Sequence, residues 1–112
     1  MSELEQLRVK ILQFRDERNW QQFHNPKDLA LSLSLEASEL LELFQWKTSE
    51  EAVEKNLDKM KDELADVVTY ALLFANETGI DISTAVAEKL KKNSEKYPVE
   101  KAFGVNKKYT EL

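Results

Sequence analysis

The sequence predicts an all-α protein, a four-helix chain that assembles into an oligomeric helical bundle. Apolar residues recur at helical spacing along most of its length, and cap residues bracket the periodic segments. The 112 residues include only 2 Gly and 2 Pro, too few turn formers for a meander of short strands. A content of 42% hydrophobic and 33% charged residues suits a folded helical domain rather than a disordered chain. The length predicts one domain over 1–112 with a small core, in which 99–112 form a C-terminal tail.

The first helix is expected from about Glu3 to Arg18, where Leu4, Leu7, Ile11, Phe14 and Arg18 alternate steps of three and four. A polar and aromatic connector, "NWQQFHNPKD", follows. Asn25 then reads as an N-cap, Pro26 as the first helical residue and Asp28 as a complement to the helix dipole. This second helix is expected to reach about Lys47. Thr48 and Glu51 form a capping box that opens a third segment, weak near Asn56 and closed by Gly79. Asp81 caps the fourth helix, which Tyr97 and Pro98 stop. The tail "VEKAFGVNKKYTEL" is expected to lack regular structure.

Composition also narrows the function. A net charge of −5 argues against a nucleic-acid-binding surface, although a bound cation can reverse the field locally for a small phosphorylated ligand. Without cysteine there is no disulfide, thiolate metal site or thiol nucleophile. The N-terminus "MSELEQLRVK" has acids before any apolar run, unlike a secretory leader. The longest uncharged stretch, "VVTYALLFAN", is about half the ~20 residues that span a bilayer. The expectation is a cytoplasmic protein without membrane contact.

Two acid pairs interrupt this helical pattern. On the second helix Leu29, Leu33, Leu40 and Leu43 form a stripe of 4-3-4-3 spacing only if Glu36 fills the gap, and Glu39 lies one turn on. Leu31, Leu35 and Leu41 occupy the other side, so the helix is apolar nearly all round. On the third segment Met60, Leu64, Val67, Ala71 and Phe74 make a stripe, with Glu63, Asp66 and Tyr70 along one side of it. Four carboxylates converging among apolar helices must take up protons or recruit cations, and oxygen-only donors suit Mg²⁺, with Mn²⁺ as substitute. A di-iron site would need a histidine three residues after a glutamate on two helices, whereas His24 in the connector is the only one. E-x-x-E is also common on solvated helix faces; the second pair, E-x-x-D at Glu63 and Asp66, with both pairs interrupting the apolar pattern, favours a metal site.

Lys89, Asn93 and Lys96 share a face of the fourth helix, where they can meet phosphate oxygens or simply complement the helix dipole. Trp20, Phe23, His24 and Trp46 lie near helix ends, placed for packing or for stacking a nucleobase.

In this order "NWQQFHNPKDLALSLSLEASELLELFQWK", "DELADVVTYAL" and "EKLKKNSEKYP" resemble the all-α MazG-type nucleotide pyrophosphohydrolases, nearest their single-domain dCTP pyrophosphatase group. The resemblance runs from Trp20 to Pro98. It implies Mg²⁺-dependent hydrolysis of a nucleoside triphosphate to the monophosphate and pyrophosphate by a homo-oligomer. Carried over by position, Glu36, Glu39, Glu63 and Asp66 would hold the metal and form the catalytic centre. Lys89, Asn93 and Lys96 would face the phosphates and the sugar or base; Trp20, His24 and Trp46 would shape the nucleoside pocket, supported by Tyr70 and Tyr97. A pyrimidine such as dCTP is the expected substrate. Two other readings fit the residues: a non-catalytic helical interaction module, and a metal-binding bundle without hydrolase activity. The apolar surfaces of the second and third helices exceed what one small chain can bury, so a dimer or dimer-based tetramer is expected.

Overall fold

The computed structural model describes residues 1–112, and its regular structure is entirely helical. Five α-helices follow in order: α1 (Glu3–Glu17), α2 (Pro26–Glu42), α3 (Ser49–Thr78), α4 (Ile82–Lys96) and the single turn α5 (Val99–Ala102). Short 3₁₀ turns occupy Gln21–Phe23 and Tyr109–Glu111. The chain divides into two compact units, Met1–Gly79 and Ile80–Leu112.

Local side-chain chemistry sets the helix starts in the first unit. Asn25 caps α2, its side-chain oxygen accepting from the Asp28 amide at 2.9 Å, with Pro26 next in line. Thr48 and Glu51 cap α3 reciprocally. Gly79 ends α3 at φ 71°, a left-handed conformation that costs glycine little. Inside α3, Asn56 leaves helical geometry (φ −117°, ψ 17°) at the weak point of the sequence pattern.

The second helix is shorter than expected. It ends at Glu42 rather than near Lys47. The Phe44 and Gln45 amides donate three residues back, to Leu41 and Glu42, and Trp46 turns the chain at φ 62°. The Leu43 carbonyl accepts from Asn56 Nδ2 at 3.0 Å. One buried asparagine therefore satisfies the end of α2 and marks the break in α3.

α3 packs along α2 and, over a smaller area, against α1. The core comprises Leu29, Ala52, Met60, Leu72, Leu73 and Ala75. On α1 the inward positions are Leu4, Arg8, Ile11 and Arg15, whereas Leu7 and Phe14 of the expected stripe are exposed. Arg15, 5% exposed, is held at 3.0 Å by Glu77 on α3 and at 2.9 Å by Asp16. On α3 the inward row reads Asn56, Met60, Glu63, Val67, Tyr70 and Phe74. Leu64 turns outward because Glu63 is closer to the middle of that row.

In the second unit Asp81 caps α4 through the Thr84 amide at 3.1 Å, and Tyr97 and Pro98 end it as expected. The tail is more regular than expected. It forms α5, reverses at Gly104 (φ 71°) and closes in the 3₁₀ turn at Tyr109. Elements of one turn leave no periodicity to read in a sequence.

A candidate active site of opposed carboxylates

The stripe of α2 that faces the interior is Leu29, Leu33, Glu36, Leu40 and Leu43, so Glu36 takes a core position between leucines. Glu63 does the same on α3. With α2 along α3, these two acids and Glu39 come together, one carboxylate oxygen of each lying within 4.8 Å of the others. Glu36 and Glu63 are half-buried, and Oε2 of each is fully buried without a hydrogen-bond partner. Glu39 is exposed and opens the cluster to solvent. No lysine or arginine pairs with any of the three.

The electrostatics follow from that geometry. Burial, then the proton a neutral carboxyl can share with Glu39 and the negative charge of Glu39, then the charges of Asp66 and Glu63, push the Glu36 carboxyl up to about 7. Glu63 is raised too, first by the proton its neutral form can share with Glu39, then by burial and the charges of Glu39 and Asp66. Asp66, exposed and one turn after Glu63, stands outside the close triplet but adds its field to it. Tyr70, one turn further, has its phenol raised by burial and by the charges of Glu36, Asp66 and Glu39. Unpartnered buried oxygens, mutual repulsion and an oxygen-only donor set fit a hard divalent cation.

The remaining candidates are distributed differently. His24 is half-buried with Nδ1 unpartnered; burial and the charge of Arg15 lower its pKa, opposed by Glu77. It therefore belongs electrostatically with the Arg15–Glu77 pair. Trp20 packs edge-on against Phe14, ring centroids 5.7 Å apart, with the Arg18 guanidinium over Phe14 at 3.7 Å. Trp46 is 92% exposed on the α2–α3 turn. In the second unit Asn93 is half-buried while Lys89 and Lys96 are exposed on α4. Tyr97 meets Tyr109 edge-to-face at 6.0 Å.

The sequence reading missed Arg15, Glu77 and Tyr109, and it found the break at Asn56 without its bond to Leu43. Arg15 was detectable, since Leu4, Arg8, Ile11 and Arg15 also keep 4-3-4 spacing; the others act through contacts distant in sequence.

The model of the MazG-like family matches residues 31–112, which include all four acids. The chain belongs to that family. The MazG-like chain is 39% identical over 114 residues to dCTP pyrophosphatase 1 of Homo sapiens and of Rattus norvegicus, covering 97% of its own length and 67% of theirs. Among solved structures it resembles a pyrophosphatase from Archaeoglobus fulgidus, with a TM-score of 0.82 and 39% identity over 88% of this chain and 94% of that one. No helix of the MazG-like chain is long and apolar enough to cross a membrane.

Proposed function

We propose that this MazG-like chain is a nucleoside triphosphate pyrophosphohydrolase that needs Mg²⁺, or Mn²⁺ in its place. It converts a (d)NTP and water to the (d)NMP and pyrophosphate, with a dCTP-like pyrimidine nucleotide as preferred substrate, and so serves cytoplasmic nucleotide-pool housekeeping. The observation that carries this is the opposed pair Glu36 and Glu63, whose buried oxygens have no partner and no countercharge. The pyrophosphatase names of its relatives support the same reaction class.

Glu36, Glu39, Glu63 and Asp66 are the residues that would hold the cation. When bound, it supplies neutralisation of phosphate charge and acidification of a water. A carboxylate of the cluster accepts the proton of the attacking water. The water oxygen bonds to the α-phosphorus, the α–β anhydride bond breaks, and pyrophosphate leaves. No covalent intermediate is required, in keeping with a chain that lacks cysteine. Lys89, Asn93 and Lys96 bind phosphate and sugar oxygens. Trp20, His24 and Trp46 bound the nucleoside, Trp46 by stacking on the base, and Tyr70 and Tyr97 support them.

The functional species is a homo-oligomer, a dimer or dimer-based tetramer of one-domain chains. It would cover Leu31, Leu35 and Leu41 of α2 and Val53, Leu57, Leu64 and Val68 of α3, all exposed in the single chain. Pyrophosphate release from a panel of dNTPs and NTPs, with Mg²⁺ and with EDTA, tests the activity. Mg²⁺-dependent turnover led by dCTP is expected. Cation binding without turnover on any nucleotide would instead identify a metal-binding bundle, and neither an interaction module.

A further inference from the structure

In the tail after Pro98, Tyr109 meets the end of α4. The Lys96 ammonium lies over its ring, 4.8 Å from the centroid, and the Tyr97 ring meets it at 6.0 Å and 78°. Lys96 is the last residue of α4 and Tyr97 its C-cap, where few backbone bonds restrain them. The route back is specific. Pro98 ends α4, α5 makes one turn, and Gly104 reverses the chain at φ 71°, so that the Tyr109–Glu111 turn returns to Lys96 and Tyr97. Tyr109 is 41% exposed, so core burial does not account for its place.

We propose that Tyr109 is a positioning residue for the triphosphate site: its ring holds the Lys96 ammonium and the Tyr97 ring in the arrangement that meets nucleotide. This deepens the proposed function and rests on Lys96 and Tyr97 facing substrate. An unrestrained lysine at a helix end samples many rotamers, and each is lost on binding a phosphate. A cation resting on an aromatic face keeps its charge and its outward N–H donors while giving up much of that freedom beforehand. The tail thus contributes to substrate affinity without touching substrate.

The test is a cycle of Tyr109→Leu, Tyr109→Phe, Lys96→Met and the Tyr109→Leu/Lys96→Met double variant in the full chain. KM, kcat and melting temperature are measured on each. Tyr109→Leu should raise KM for the triphosphate about two- to five-fold at unchanged kcat, the factor a solvent-exposed cation–π contact supports. Tyr109→Phe, which keeps the ring, should restore wild-type KM. The Tyr109→Leu effect should shrink in the Lys96→Met background, because its object is gone. Gly104→Val, strained at a left-handed position with open space around it, should raise KM like Tyr109→Leu. Lys96→Met with unchanged KM would overturn the assignment of Lys96 to the phosphates, and this inference with it. If Lys96→Met raises KM while Tyr109→Leu does not, the inference alone fails. A Tyr109→Leu effect that persists undiminished without Lys96 and accompanies a fall in melting temperature would overturn it in favour of a merely structural tail.

Discussion

Glu36 sits where the packing of α2 asks for leucine, and its carboxyl titrates at about 7 instead of 4.5. The folded, metal-free chain therefore binds that proton more tightly than the unfolded chain does. The resulting stability is full below about pH 4.5 and lost as pH rises through about 7. His24, with its pKa lowered, works in the opposite sense, gaining stability as pH rises. The difference between wild type and Glu36→Gln isolates the acid. Without metal, Glu36→Gln should melt higher than wild type at pH 8, by about 1 kcal/mol or a few degrees, and this advantage should vanish towards pH 4.5. A constant offset across that range, followed by thermal denaturation, would contradict the repulsion argument. The same variant should gain less melting temperature from Mg²⁺ and lose pyrophosphohydrolase activity by orders of magnitude. Full activity in Glu36→Gln would end the metal-site reading. Trp46 sits on the turn near the end of the same stripe; Trp46→Ala should weaken nucleotide binding by about 1–3 kcal/mol, read as KM and substrate ranking. Unchanged values would remove it from the pocket.

Among the helices, the starts were legible because they are written in neighbouring residues. Asn25, Thr48 with Glu51, and Asp81 cap by reaching three residues along their own chain, and Gly79 closes α3 by its backbone freedom. The end of α2 was not legible, because it is fixed from outside by Asn56, thirteen residues away. That bond makes a prediction. Asn56→Ala leaves the Leu43 carbonyl without its side-chain partner, which should cost about 1–3 kcal/mol in a urea titration with unchanged slope. A loss under a few tenths would show that water replaces the amide. The partner of the buried Arg15 was hidden for the same reason, since Glu77 is sixty-two residues distant, although the inward spacing of Arg15 itself was readable. The candidate site was easier to read than either. An acid inside the leucine stripe of α2 is anomalous in the sequence itself, and a second acid pair stands beside the apolar stripe of the helix that packs on it; that Glu63 displaces Leu64 from the inward row needed the structure. The close triplet needed the structure too, because side-chain spacing cannot say that Glu39 stands nearer to Glu36 and Glu63 than Asp66 does.

As a molecule, the chain exposes more apolar helix surface than a solitary domain of this size needs. Leu31, Leu35 and Leu41 are 54%, 63% and 70% exposed on one helix. Self-association through α2 and α3 should therefore appear as a dimeric or tetrameric mass in light scattering at micromolar concentration. A sharply monomeric mass would require another explanation for those leucines. In the single chain the two tryptophans stand in contrasting surroundings, Trp20 packed on Phe14 and Trp46 almost wholly in water. Their fluorescence divides accordingly. Trp46 should emit at the red edge and be open to collisional quenchers such as acrylamide, with Trp20 partly shielded. A nucleobase laid on Trp46 would quench its emission and close it to acrylamide, leaving Trp20 as an internal reference. The proposed stacking on Trp46 would thus give the free chain a label-free optical gauge of nucleotide occupancy, built into the turn that ends its second helix.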